Sequence, residues 1–88
     1  MAFTIGDAYR HLEAGTWVKQ AYENCIEIGT VVQQSGDHVL VQFKYGTHPA
    51  FAGGGRIKPY NPDWRLDSEL ERISQKEVLL LKFKYGWK

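Results

Sequence analysis

The sequence predicts a small α+β protein in which helices accompany an antiparallel sheet. Three observations favour this fold class. The first residues repeat apolar side chains with the period of a helix, the middle of the chain alternates as a hairpin does, and a later segment repeats that strand pattern. With 88 residues and no break in composition, the chain is expected to form a single domain, residues 1–88.

An N-terminal helix is predicted over residues 5–14. Its apolar side chains recur at the spacing i, i+3, i+4 and i+7, on one face of a helix: Ile5, Ala8, Tyr9 and Leu12. Thr4 can cap the first turn, and Gly15 lies where a left-handed residue commonly ends a helix. A short strand over residues 16–20 is expected to follow.

The central hairpin, residues 25–45, is predicted to turn at Ser35 and Gly36. This turn pairs mostly apolar residues on one face: Val32 with Val39, Thr30 with Val41, Ile28 with Phe43, and Ile26 with Tyr45. On the opposite face it pairs Glu27 with Lys44. A shift of one residue would move the apolar side chains to the wrong face, so the register is predicted together with the turn.

A second strand-like segment repeats part of the first. Residues 39–46 and 79–86 are identical at five of eight aligned positions, and both end in Phe-Lys-Tyr-Gly. The later segment is therefore predicted to be the last strand, with these side chains inward: Leu79, Leu81, Phe83, Tyr85 and Trp87.

A second helix is predicted before that last strand. Ser68 and Glu71 have the spacing of a capping box, which marks the start of a helix. No Gly or Pro interrupts the chain after this point until Gly86. Two interpretations therefore remain open for residues 77–81: they continue the helix, or they begin the strand.

Residues 29–43, with the sequence Gly-Thr-Val-Val-Gln-Gln-Ser-Gly-Asp-His-Val-Leu-Val-Gln-Phe, resemble the central hairpin of SH3-like barrels of the KOW and Tudor type. The resemblance implies that a sheet of four or five strands curls into a half-barrel that binds nucleic acid or protein. The opening order of helix, glycine and strand, residues 5–19, is similar to that of small phage and mobile-element proteins.

Composition excludes several classes of protein. Eleven Lys and Arg against ten Asp and Glu give a net charge of +1, so overall charge selects no partner. Neither a membrane span nor a signal peptide is predicted. Cys25 is the single cysteine, which favours a reduced, cytoplasmic setting. The three Trp, five Tyr and four Phe are a heavy aromatic content for 88 residues and favour an exposed binding surface or a homodimer.

The main candidate site is the glycine-rich segment between the two halves of the chain. Gly53, Gly54 and Gly55 offer unobstructed backbone N–H groups before Arg56, which suits a phosphate or carboxylate. The segment matches neither the P-loop nor the dinucleotide-binding motif, and three glycines are also typical of a flexible loop. The side chains expected to complete this site are His48, Lys58, Tyr60 and Trp64.

An alternative site consists of Lys44, Lys82 and Lys84, which suit nucleic acid because phosphates need cations and bases need aromatic faces. If both segments are strands, however, alternation puts these lysines on the face opposite their neighbouring Phe and Tyr side chains. The lysines and the aromatic rings are then not expected to interleave.

No catalytic triad and no metal-ligand spacing occurs in the sequence, so no enzyme, metal or cofactor is predicted. The expected function is non-catalytic binding by a small accessory protein of phage or mobile-element type. Its expected partners are a second copy of the chain, together with a protein or a small anionic ligand. The alternatives are a nucleic-acid-binding SH3-like module and a purely structural homodimer.

Overall fold

The computed structural model describes residues 12–47 and 62–87. Their elements are β1 Trp17–Ala21, β2 Ile26–Ser35, β3 His38–Gly46, β4 Asp63–Leu66, a 3₁₀ turn Asp67–Glu69, β5 Glu71–Arg72 and helix α1 Gln75–Tyr85. The strands form one antiparallel sheet in the order β4-β3-β2-β1-β5. Strands β1 to β4 therefore follow one another across the sheet, and β5 returns to pair with β1.

The predicted fold class is wrong in its helices. Most of the expected N-terminal helix, residues 5–14, lies outside the described residues, and its described end is not helical. Glu13 instead accepts a hydrogen bond from the Thr16 N–H, at 3.1 Å, in a turn where Gly15 has a φ of 91°. Within residues 12–47 and 62–87 there is a single α-helix, and it follows the last strand rather than preceding it.

Helix α1 occupies the residues that were expected to form the last strand. Ser74 caps it by accepting a hydrogen bond from the Glu77 N–H at 3.1 Å, and Gly86 ends it with a left-handed φ of 69°. Ser68 and Glu71 start no helix, since Ser68 lies in the 3₁₀ turn and Glu71 in β5. The capping spacing of Ser and Glu occurs twice in the sequence, and the second occurrence is the one that caps a helix.

The β2–β3 hairpin is confirmed, but its predicted register is wrong. The turn residues are Gly36 and Asp37, and Ser35 pairs with His38. Gly36 has a φ of 61°, whereas no residue other than glycine has a positive φ in the described chain. Positive φ at the first turn position alone is typical of a type II′ turn, which matches the twist of a hairpin.

Two β-bulges decide which hairpin side chains are buried. Val32 on β2 and Lys44 on β3 have no residue opposite them, because the register shifts at both places. Val31 is consequently buried in place of Val32. On β3, the bulge sends Phe43 and Tyr45 to opposite faces of the sheet, since they pair with the adjacent residues Gly29 and Ile28 respectively.

The face of the sheet that carries Phe43, here the inner face, holds the larger apolar core. That core consists of Leu12, Val18, Val31, Val39, Val41, Phe43 and Leu70. The sheet curls around it. Arg65 on β4 donates from Nε to Gln20 Oε1 on β1 at 2.9 Å, although β2 and β3 separate these strands in the sheet.

Helix α1 packs against the opposite, outer face. Its contacts form a second apolar cluster of Ile28, Ile73, Val78 and Trp87, against which Trp17, Ile26, Tyr45 and Leu81 pack. Lys19 on the same face donates to Glu77 of the helix at 3.3 Å. The helix thereby fixes the position of Trp87, beyond its C-terminal end, against β3. No helix in the described part of the chain has the length and apolar character needed to cross a membrane.

Candidate functional site

Most of the predicted ligand-binding segment lies outside the described residues. This applies to His48, Gly53, Gly54, Gly55, Arg56, Lys58 and Tyr60. Trp64 is described. It lies on β4 opposite Leu40 and is 46% exposed, on the outer face of the sheet.

The three lysines of the alternative site each lie over an aromatic ring. The distance from Nζ to the ring centroid is 5.5 Å from Lys44 to Trp17 and 5.1 Å from Lys82 to Tyr45. The third pair, Lys84 and Tyr85, is separated by 5.3 Å. The expectation that these lysines and rings occupy opposite faces is therefore wrong. It assumed two regular strands, whereas Lys44 is at a bulge and the other two lysines are on a helix.

Two of these rings, Tyr45 and Tyr85, belong to one stack with Trp87, and Trp17 packs against the same apolar cluster. Trp87 lies between Tyr45, at 5.6 Å and 11° between ring planes, and Tyr85, at 5.0 Å and 24°. Trp87 is buried, whereas Tyr85 is 41% exposed at the end of the stack. Together these side chains form the lysine–aromatic cluster, which consists of Trp17, Lys44, Tyr45, Lys82, Lys84, Tyr85 and Trp87.

The cationic charges of this cluster are not neutralised by the described acidic residues. None of its three lysines is within ion-pair distance of a described carboxylate, while Lys19 is 3.7 Å from Glu71 and 3.3 Å from Glu77. The predicted pairing of Glu27 with Lys44 is wrong, because Glu27 lies opposite Gly46 and accepts a hydrogen bond from Tyr22. A cation over an exposed ring contributes only about 0.5–1 kcal/mol, so these lysines keep most of their capacity to attract an anion.

Arg65 lies at the inner face of the sheet, and its contacts there are with side chains of the fold itself. Arg65 donates a hydrogen bond to Gln20, lies 3.8 Å from the Asp63 carboxylate, and has its guanidinium 5.0 Å from the centroid of the Phe43 ring.

Tyr22 is not a candidate base. Burial, and then the carboxylate of Glu27, raise the pKa of Tyr22 to about 12. Tyr22 therefore keeps its proton at neutral pH and acts as a hydrogen-bond donor rather than as a base.

The described residues offer no metal site, since they contain no group of three or more His, Cys, Asp and Glu side chains that could hold an ion. Cys25 is a free, half-buried thiol. The absence of catalytic function remains a prediction from the sequence.

The outward face of helix α1 carries three exposed apolar side chains, two of which were expected in the core. Leu79 is 57% exposed, Leu80 59% and Phe83 89%. They were expected to contribute to a last strand, with Leu79 and Phe83 inward. The Ser74–Glu77 spacing and Gly86 are the signals that would have identified a helix here and placed all three side chains together.

The described residues thus form a curled antiparallel sheet, with a helix across its outer face and an unneutralised lysine–aromatic cluster at the end of that helix. Comparison of the chain with protein-family models, curated proteins and solved structures finds no match.

Proposed function

We propose that the protein is a non-catalytic, cytoplasmic nucleic-acid-binding module whose contact surface is the lysine–aromatic cluster. The observation that carries this proposal is that Lys44, Lys82 and Lys84 each lie over an aromatic ring, and that these rings all pack around Trp87 and its apolar cluster. Three cations without a described acidic partner can bind successive phosphates, and exposed aromatic rings can stack with bases. The net charge of +1 does not oppose this function, because the positive charge is local.

Single-stranded nucleic acid fits the cluster better than a duplex. Stacking on a side chain requires bases that are not already stacked between neighbours, which single strands supply. Tyr85 is the ring available for such stacking, since it is 41% exposed and ends the stack that begins at Tyr45. Lys84 lies over Tyr85, so a base stacks on this ring when the lysine turns to a phosphate, and the base then lengthens the existing series of stacked rings.

The likeness to SH3-like barrels of the KOW and Tudor type forms part of this proposal. Its support is that residues 29–43 belong to the β2–β3 hairpin and its turn. The curling of the sheet is further support, since Arg65 on β4 reaches Gln20 on β1. A role as an accessory protein of a phage or mobile element is compatible with such a module.

The proposal is tested by fluorescence anisotropy with a labelled single-stranded DNA longer than the roughly 4–16 nucleotides that a small binding fold covers. If each of the three lysines contacts one phosphate, the logarithm of the association constant should fall with the logarithm of the salt concentration at a slope of about −2. Each phosphate contact on a single strand contributes about −0.7 to that slope. The variant Lys82→Gln should reduce this slope by about 0.7. Arg72→Gln, which removes one exposed charge outside the cluster, should leave the slope unchanged.

Stacking is tested separately with Tyr85. Tyr85→Ala should weaken binding by about 1–3 kcal/mol, the value of one stacked base, whereas Tyr85→Phe should bind nearly as well as the unaltered protein. Absence of binding at about 50 mM salt, or equal salt slopes for Lys82→Gln and Arg72→Gln, would contradict nucleic-acid binding at this cluster.

A second candidate function is capture of a protein or small anionic ligand by the glycine-rich segment, residues 46–58, with Trp64. The observation in its favour is the 46% exposure of Trp64 on the strand that follows this segment. Tryptophan is enriched where proteins bind partners. Native mass spectrometry before and after denaturation decides this candidate, because a retained anionic ligand would be released and weighed.

A further inference from the structure

Trp64 is exposed on the same face of the sheet as the lysine–aromatic cluster. It lies on β4 opposite Leu40 and is 46% exposed. Leu40 alternates along β3 with the inner-core residues Val39 and Val41, so Leu40 and Trp64 point to the outer face. Trp17 of the cluster packs against the helix-side apolar cluster on that face as well. One face of the sheet therefore carries both the lysine–aromatic cluster and Trp64.

The strand pairing connects Trp17 to Trp64 through adjacent residues. Trp17 pairs with Thr30 on β2, and Thr30 pairs with Gln42 on β3. Gln42 is two residues from Leu40 and hence on the same face, and Leu40 pairs with Trp64. These five residues are called the outer-face track below. Three steps between strands of about 4.8 Å and two residues of about 3.3 Å along β3 give a track about 16 Å long.

The acidic residues of the sheet point away from the outer-face track. Strands β1 to β4 contain two of them, Glu27 and Asp63. Glu27 pairs with Gln20, whose side chain lies on the inner face, and Asp63 lies 3.8 Å from Arg65 on that same face. The five side chains of the track are aromatic, aliphatic, hydroxyl or amide groups. A polyanion on the track is therefore not repelled by an acidic side chain of these four strands.

We propose that a single-stranded nucleic acid bound by the lysine–aromatic cluster continues over the outer-face track and stacks a second base on Trp64. This inference rests on the proposed function and extends the same site. Lys44, whose ammonium is 5.5 Å from the centroid of the Trp17 ring, supplies the cation for a phosphate at the start of the track. The exposed indole of Trp64 offers a face on which any base can stack.

The length of the outer-face track determines how much nucleic acid it covers. At roughly 3.4 Å per nucleotide in a stacked strand, and about twice that in an extended one, about 16 Å correspond to roughly 2–5 nucleotides. A strand of about four nucleotides is fully used when its phosphates contact the three lysines of the cluster. A longer strand has nucleotides left to cover the track, so contact with Trp64 should depend on strand length.

This length dependence is tested by fluorescence anisotropy with labelled oligothymidylate DNA of about 4 and about 16 nucleotides, the limits of the range that small binding folds cover. Trp64→Ala should weaken binding of the longer strand roughly 5- to 150-fold and leave binding of the shorter strand unchanged. Leu66→Ala removes a 40% exposed aliphatic side chain from the same strand and face. This control should bind both lengths as the unaltered protein does, because leucine offers no ring for stacking.

Trp64→Phe tests stacking while keeping an aromatic ring. The longer strand should bind this variant nearly as well as it binds the unaltered protein, since phenylalanine also stacks with bases. The longer strand should also quench the tryptophan fluorescence of the unaltered protein more than that of Trp64→Phe, which lacks the indole in contact with the base. Circular dichroism of each variant checks that it remains folded.

Two results would overturn the track and leave the proposed function standing. The longer strand could bind with a salt slope that Lys82→Gln lowers, yet with equal affinity for Trp64→Ala and Leu66→Ala. That result would confine the nucleic acid to the lysine–aromatic cluster and leave Trp64 to another partner. Equal losses from Trp64→Ala for both strand lengths would mean that Trp64 acts through the fold rather than as a second stacking ring. Absence of binding by either length would instead overturn the proposed function, and the track with it.

Discussion

At the scale of single residues, Gly29 shows how closely β2 and β3 approach. A Cβ atom at Gly29 would lie 2.6 Å from Phe43 Cα and closer still to the carbonyl oxygen of Gln42. Both neighbours are backbone atoms of a central strand, which cannot move aside as a flexible side chain can. This approach occurs next to the Lys44 bulge that sends Tyr45 to the outer face.

Gly29→Ala is therefore expected to destabilise the protein by about 1–3 kcal/mol, the usual cost of overpacking. Urea denaturation measures this as a lower midpoint with an unchanged slope. Gln33→Ala, an exposed change on the same strand, is the control and should alter stability by less than about 0.5 kcal/mol. Equal midpoints for the two variants would mean that β3 has room to shift.

Residue burial could be predicted where the strand is regular. Val39, Val41 and Phe43 were expected on one face, and all three belong to the inner core. Val32 was expected there as well, but the bulge exposes it and buries Val31. Alternation over a continuous run of apolar residues does not reveal a bulge, because Val31 and Val32 are equally suitable for burial.

At the scale of elements, one repeated sequence forms two different structures. Residues 39–46 lie in β3, and residues 79–86 lie in α1 and its cap. The first copy contains the β-branched Val39 and Val41, which favour strands, while the second has leucines, which favour helices. A capping serine precedes only the second copy. Flanking signals and backbone propensity therefore decided the structure, although Phe-Lys-Tyr-Gly is common to both.

Two serines provide a direct test of which cap forms. Ser74→Ala should cost about 1 kcal/mol, because it removes the acceptor of the Glu77 N–H. Ser68→Ala alters the serine of the wrongly predicted cap and should have little effect. Thermal denaturation followed by circular dichroism at 222 nm compares the two variants. A larger loss from Ser68→Ala would contradict the helix boundary.

The candidate site was predictable only in part, because it depends on both elements. Lys44, Lys82 and Lys84 were predicted as an alternative site, but they were expected on the face opposite their neighbouring aromatic rings. Their positions over rings require a bulge at Lys44 and a helix at residues 75–85. Trp17 lies within the strand that was expected over residues 16–20, and Trp87 was expected to face inward from a last strand. Nothing in their local sequence indicates that a stack of rings would join β3 to the end of a helix.

At the scale of the whole molecule, the contact between Arg65 and Gln20 joins strands that are not neighbours. Gln20 is buried, and its side-chain oxygen accepts from Arg65 at 2.9 Å. A hydrogen bond to a charged donor contributes about 1.5–3 kcal/mol. This contact spans the inner face and holds the sheet in its curled form.

A double-mutant cycle of Gln20→Ala and Arg65→Ala should therefore give a coupling energy of about 0.5–3 kcal/mol in urea denaturation. The matched cycle of Gln33→Ala with Arg65→Ala should be additive within about 0.5 kcal/mol, because Gln33 is exposed on the hairpin. Additivity in both cycles would show that the curl of the sheet does not depend on this hydrogen bond.

The return of β5 to β1 also has a consequence for the rate of folding. Val18 pairs with Arg72, so this ladder joins opposite ends of the described chain, whereas β2 and β3 are joined by a two-residue turn. Loop-closure entropy grows with the length of chain between paired residues, and non-local contacts slow folding. We expect the hairpin to form first and the β1–β5 ladder to close last. Helix α1, whose outer-face contacts require that ladder, then completes the molecule and brings Trp87 against Tyr45.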